Sequence, residues 1–66
     1  MVSIGPFVFH EEEIAAFKKR AQAELKGEDG DFQFSYLGFA IVMNCRKGVS
    51  EKISIEKDGR RVFARI

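Results

Sequence analysis

The chain has 66 residues, 45% hydrophobic and 32% charged, and its eleven Lys or Arg against ten Asp or Glu leave a formal net charge of +1. A domain this short buries only about 60% of its unfolded surface, so stability is marginal unless a disulfide, a metal or a partner adds to it. The single cysteine, Cys45, excludes an internal disulfide, and with one histidine in the chain it makes a poor zinc site, so self-association is the expected reinforcement.

In chain order, Val2 to Phe9 places Val, Ile and Phe around Gly5-Pro6, the pattern of an edge strand interrupted or bent at that pair. Glu11, Glu12 and Glu13 then precede Lys18, Lys19, Arg20 and Lys26, the polarity that a helix dipole favours. Ile14, Phe17, Ala21 and Leu25 recur at helical spacing and form one apolar stripe. His10, just ahead of the glutamates, reads as a residue of the cap region. Gly27 is expected to end the helix in the left-handed conformation, with Glu28-Asp29-Gly30-Asp31 as a polar loop behind it.

From Phe32 to about Asn44 the chain is expected to be extended, and this stretch changes character along its length. Phe32, Phe34 and Tyr36 alternate with Gln33 and Ser35, as in a strand with one wet face. Past Gly38, Leu37, Phe39, Ile41 and Met43 take one parity while Ala40 and Val42 take the other, so both faces need cover. One reading is a long two-faced strand whose Phe39 and Ile41, or their opposite-parity neighbours Ala40 and Val42, form an apolar interaction surface together with Phe63. The other is a parity-switching bulge at Gly38 that gathers Phe32, Phe34, Tyr36, Phe39 and Ile41 on a single core face.

Arg46-Lys47-Gly48 reads as a turn, and Val49, Ile53 and Ile55 share one parity against Lys52, Ser54 and Glu56, which predicts a half-buried strand. Asp58-Gly59 predicts a type I′ hairpin, because both central residues of that turn need positive φ. In the last strand, Arg61 to Ile66, Val62, Ala64 and Ile66 can face the helix and Arg61, Phe63 and Arg65 the other side. The expected fold is α+β, one domain over residues 1–66, with a single helix packed on one face of a small antiparallel sheet in the order β-α-β-β-β.

Charge is unevenly placed. Residues 1–43 hold four Lys or Arg against seven Asp or Glu, whereas residues 44–66 hold seven against three. Arg46, Lys47, Lys57, Arg60 and Arg61 fall at turns or strand ends, and Lys52 and Arg65 within strands, so several could converge into one basic patch. Arg61, Phe63 and Arg65 put an aromatic between two arginines on one strand face, a layout able to stack a base and hold phosphates. The competing account is that these are solvated charges that discourage edge-to-edge pairing, and the low net charge favours it. The aromatic segment at Phe32 lacks the basic residue and glycine of an RNA-recognition motif, and no second helix follows, so that family is not implied.

Catalytic and metal-binding residues are not indicated. His10 with three following glutamates has no second histidine to complete a zinc-protease helix. Cys45 beside Arg46 and Lys47 lacks a base other than His10 and reads as a small half-buried thiol. Glu28, Asp29 and Asp31 do not have calcium-loop spacing, and Gly27 and Gly30 sit among acids that repel phosphate. No cofactor is expected. The longest apolar run, Phe39 to Met43, is far short of the roughly 20 residues that span a bilayer, and the amino terminus lacks the pattern of a signal peptide, so the chain is expected to be cytoplasmic.

The expectation is a non-enzymatic protein-binding module, homodimeric, acting as an accessory or inhibitory protein, a class in which phage and mobile-element proteins are frequent. Its contact residues would be Phe39, Ile41 and Phe63. The alternatives are a binder of nucleic acid or anionic nucleotides through the basic carboxy-terminal hairpin, and a structural subunit that assembles through an exposed strand edge.

Overall fold

The first apolar segment folds back on itself. In the computed structural model, which describes residues 1–66, β1 (Val2–Ile4) and β2 (Phe7–Phe9) form an antiparallel hairpin closed at Gly5-Pro6. Gly5 has φ +61° and the proline ring holds its own φ near about −65°, the combination of a type II′ turn. The interruption expected at this pair is therefore a complete reversal.

The helix α1 spans Glu11–Leu25 and buries Ile14, Phe17 and Ala21, with Leu25 half-buried, along the expected stripe. Its start is held by Glu13, whose Oε1 accepts from the His10 backbone N–H at 2.7 Å, satisfying one of the donors that helix starts leave open. At its end Gly27 is left-handed as expected, with φ +76°, and the left-handed turn already begins one residue earlier. Lys26 takes the left-handed conformation, and the Gly27 N–H reaches back to the Gln22 carbonyl at 3.3 Å.

The remaining strands, β3 (Gly30–Tyr36), β4 (Phe39–Arg46), β5 (Val49–Lys57) and β6 (Arg60–Arg65), form an antiparallel meander in the order β3-β4-β5-β6. The fold class is as expected, a single helix against one face of an antiparallel sheet. The stretch from Phe32 to Asn44 is two strands, however, and neither a two-faced strand nor a bulge. Leu37 and Gly38 have φ +47° and +83°, which makes them the centre of a type I′ turn that reverses the chain. Residues paired across the turn share a face, so Phe32 meets Met43, Phe34 meets Ile41 and Tyr36 meets Phe39 on the side of the helix. One common core face for these aromatics is what the bulge reading required, and a turn achieves it.

In β5 the expected parity fails at the first residue. Cys45 pairs with Ser50 and Asn44 with Lys52, leaving Glu51 as the extra residue of a bulge. Val49 is thereby turned out, 60% exposed, and Ser50 takes the inner position with its hydroxyl 3.5 Å from the Cys45 thiol. On the other side of β5 the ladder runs on undisturbed, and the Glu51 carbonyl accepts from the Ile66 N–H at 3.0 Å.

The core gathers Ile4 and Phe9 from the hairpin, Ile14, Phe17 and Ala21 from the helix, and Phe34, Ile41, Met43, Cys45, Ile53 and Ile55 from the sheet. The helix cannot cover four strands alone, and the β1–β2 hairpin fills the space beside it. A Cβ on Gly5 would lie 2.6 Å from Val62 Cγ1, so the hairpin turn rests directly on β6. Edge-to-face contacts of Phe39 with Phe7 and Phe9, and of Phe17 with Phe9 and Tyr36, join hairpin, helix and sheet. No helix is long and apolar enough to cross a membrane.

Candidate functional site

Helix and hairpin both lie on one side, so the other face of the sheet is bare. Its side chains fall into three rows across the strands, because each antiparallel register carries residues of one parity straight across. The middle row is Gln33, Val42, Ser54 and Phe63. Asp31, Asn44, Lys52 and Arg65 form the row on one side, and Ser35, Ala40, Glu56 and Arg61 the row on the other.

Each row has a different chemistry. Phe63 stands 73% exposed while Val42 and Ala40 are half-buried, so the apolar surface is low at β4 and raised at β6. The outer row with Arg61 is internally neutralised, since Arg61 Nη2 lies 2.8 Å from Glu56 Oε1. In the opposite row Asn44 Nδ2 donates to Asp31 Oδ1 at 2.7 Å, and Lys52 and Arg65 oppose each other with no carboxylate in salt-bridge range. Like charges directly opposite are destabilising in a sheet, so these two cations would gain from any anionic group placed between them. Between this row and Phe63 lies a shallow depression of about 590 Å³, bordered by Val42, Asn44, Lys52, Phe63 and Arg65, with the carboxylate of Asp31 at its β3 end.

Of the expected apolar contact residues, only Phe63 is on this face. Ile41 has no exposed surface and faces the helix, and Phe39 is half-buried against Phe7 and Phe9. The two-faced reading puts both at the surface, and the Leu37-Gly38 reversal turns both inward. Val42 and Ala40, the opposite-parity neighbours, occupy the open face instead.

The basic residues fall into two groups at opposite ends of the carboxy-terminal hairpin. Lys57 spends its charge on the Phe39 ring, 4.5 Å from its centroid, and Arg60 pairs with it across the β5–β6 turn. Lys52 is five residues along β5 from Lys57, roughly 17 Å at strand rise, so the two ends of the hairpin are separate. Arg46 lies at the Lys52 and Arg65 end, where the three border a second shallow depression with Glu51. Lys47 sits in the β4–β5 turn, its backbone N–H donating to Asp29 Oδ1 at 2.6 Å.

On the covered side, Glu13 joins the helix start to the sheet. While one carboxylate oxygen accepts from the His10 N–H, the other accepts from the Tyr36 hydroxyl. The Tyr36 hydrogen bond, then that of His10, holds the Glu13 carboxyl below its ordinary range, and the same bond to Glu13 pushes the Tyr36 phenol up. Arg20 lies over the rings of Phe34 and Phe32, at 4.8 and 5.5 Å. No group of three or more His, Cys, Asp or Glu converges as a metal site. The open face goes to the opposite-parity alternative, Val42 and Ala40, and the Lys52–Arg65 pair, which the sequence does not single out, follows from the register of the Asp58-Gly59 hairpin. No protein-family model, curated protein or solved structure matches this chain.

Proposed function

We propose that this chain is a small non-enzymatic protein-binding module of the accessory or inhibitory kind, working in the cytoplasm, and that its contact surface is the open sheet face centred on Phe63. The observation that carries this reading is the exposure of one large aromatic beside a shallow depression whose other wall holds two uncompensated cations, Lys52 and Arg65. An aromatic anchor with a polar rim is the usual make-up of an interface hot spot. The partner would place an apolar side chain against Phe63 and Val42 and a carboxylate between Lys52 and Arg65. Affinity capture with the parent and with Phe63→Asp tests this. Parent-specific retention of one partner, lost in the variant at unchanged circular dichroism, is expected, and equal retention by both would overturn the reading.

A second reading keeps the same face and exchanges the partner for single-stranded nucleic acid, with a base stacked on Phe63 and phosphates at Lys52 and Arg65. It is favoured by the position of Phe63 two residues from both Arg61 and Arg65 on one strand face. Against it stand Glu56, which occupies Arg61, and Asp31 in the cationic row. Oligonucleotide anisotropy distinguishes the two, since phosphate binding weakens steeply with salt and would be lost in Lys52→Glu and Arg65→Glu.

A further inference from the structure

The sheet has two free edges, β3 and β6, and the turns determine which backbone groups each presents. The residues that flank a two-residue hairpin turn form a hydrogen-bonded pair, so Tyr36, Phe34 and Phe32 direct their N–H and C=O groups to β4. Asp31, Gln33 and Ser35 therefore direct theirs outward. By the same alternation Arg61, Phe63 and Arg65 direct theirs outward from β6, in agreement with the inward bond of Ile66 to Glu51.

The two edges differ in how they would receive another copy. Antiparallel pairing of β6 with itself about Phe63 would set Arg61 against the copy's Arg65, like charges on one face, which is a recognised protection of edges. β3 sets no like charges of its own strand against each other. Its one charge is Asp31, and pairing about Gln33 sets Asp31 against the copy's Ser35, a hydroxyl that can donate to the carboxylate. The same register sets Phe32 against the copy's Phe34 on the helix side, where Phe32 and Tyr36 are still half-exposed. Three outward residues would each exchange a full pair of backbone hydrogen bonds.

We propose that β3 pairs antiparallel with β3 of a second copy about Gln33, closing a dimer with one continuous sheet of eight strands. The inference is independent of what binds the open face. In the dimer both open faces look the same way, with the two Phe63 side chains seven strand spacings apart, about 34 Å. One short edge buries less than a standard interface, so the dimer is concentration-dependent. The two Arg20 guanidinium groups, which lie over Phe32 and Phe34, approach each other at the seam, so association tightens as salt rises.

Sedimentation velocity over a concentration series, at low and high salt, tests the pairing. The parent is expected to reach dimer mass, more readily at high salt. Gln33→Lys and Gln33→Glu, each placing like charges on the two-fold axis, are expected to be monomers with unchanged circular dichroism, since Gln33 is exposed. An equimolar mixture of the two should regain dimer mass, because only a pairing that sets residue 33 against itself lets the charge swap compensate. Gln33→Pro, which removes an outward N–H and leaves the β4 ladder intact, should also be monomeric. A parent that stays monomeric at about 1 mM overturns the proposal. So would persistent dimers in both charge variants, a mixture that stays monomeric, or salt-sensitive species larger than a dimer, the mark of β3 pairing with β6 through Asp31 and Arg65.

Discussion

The two faces of the four-stranded sheet are made from alternate residues of the same strands, yet one is sealed and the other bare. On the inner face Ile41, Met43, Ile53 and Ile55 are essentially without exposed surface, whereas on the outer face the bulkiest residue, Phe63, is 73% exposed. The difference lies in what each face meets. Fifteen residues of helix and the β1–β2 hairpin together cover one side, and no element of residues 1–66 lies over the other. A chain of this length can close one layer over one sheet face, so the second face is available for a partner without loss to the core.

That contrast can be broken at its strongest point first. Ile41→Ala removes a fully buried side chain between β3, β5 and the helix, and a loss of about 2–5 kcal/mol in denaturant unfolding is expected. Phe63→Ala, a larger truncation by three carbons but on the open face, should change stability within about 0.5 kcal/mol. Equal losses at the two sites would mean that the faces are not distinct in energy.

The junction of hairpin and sheet comes next. Gly5→Ala would bring a methyl to 2.6 Å from Val62 Cγ1 at a left-handed φ, and a loss of about 1–3 kcal/mol is expected, partly restored when Val62→Ala is added. Additive losses in the thermal melts of the double variant would show that the two residues do not press on each other. A gain of about 0.5–1 kcal/mol is expected from Leu37→Asn, because Leu37 holds φ +47° at the turn with its side chain 74% exposed, and asparagine tolerates that conformation better. Chemical denaturation that leaves the variant no more stable than the parent would assign a packing role to Leu37.

The smallest effect is the pH dependence of the Glu13–Tyr36 bond, since both residues are only half-buried. Glu13 is depressed below the ordinary value of 4.5, so its contribution is complete above that pH and is lost as pH falls through the folded value. Tyr36 is raised above 10.0, so its contribution is complete below that pH and is lost as pH rises through the folded value. Tyr36→Phe should therefore differ most from the parent between these limits and converge with it in acid. A difference in melting temperature that stays constant from neutral pH down to acid would remove the charge-assisted bond as its source.

Much of the fold was legible residue by residue. The stripe Ile14, Phe17, Ala21 and Leu25 specified the buried side of the helix, and Asp58-Gly59 specified the last hairpin, because both signals are complete within a few neighbouring residues. The open-face position of Phe63 also followed from simple alternation in β6. Leu37-Gly38 was harder. Leucine is an unusual residue for a left-handed turn position, and a glycine in an apolar extended stretch is as compatible with a bulge as with a reversal. The bulge at Glu51 left no mark in composition, so Val49 and Ser50 exchanged faces without a local cue.

By itself the sequence determined which segments are helix and which are strand, which turn carries Asp-Gly, and that the apolar residues suffice for one core. Only the tertiary structure decided that Phe39 and Ile41 belong inside and Val42 outside, that the β1–β2 hairpin rests on Val62, and that the opposed Lys52 and Arg65 have no counter-ion. The physical reason is that local propensity acts within a turn of chain, whereas the face a strand residue takes depends on the cross-strand register, and a shift of one residue turns every side chain beyond it to the other side.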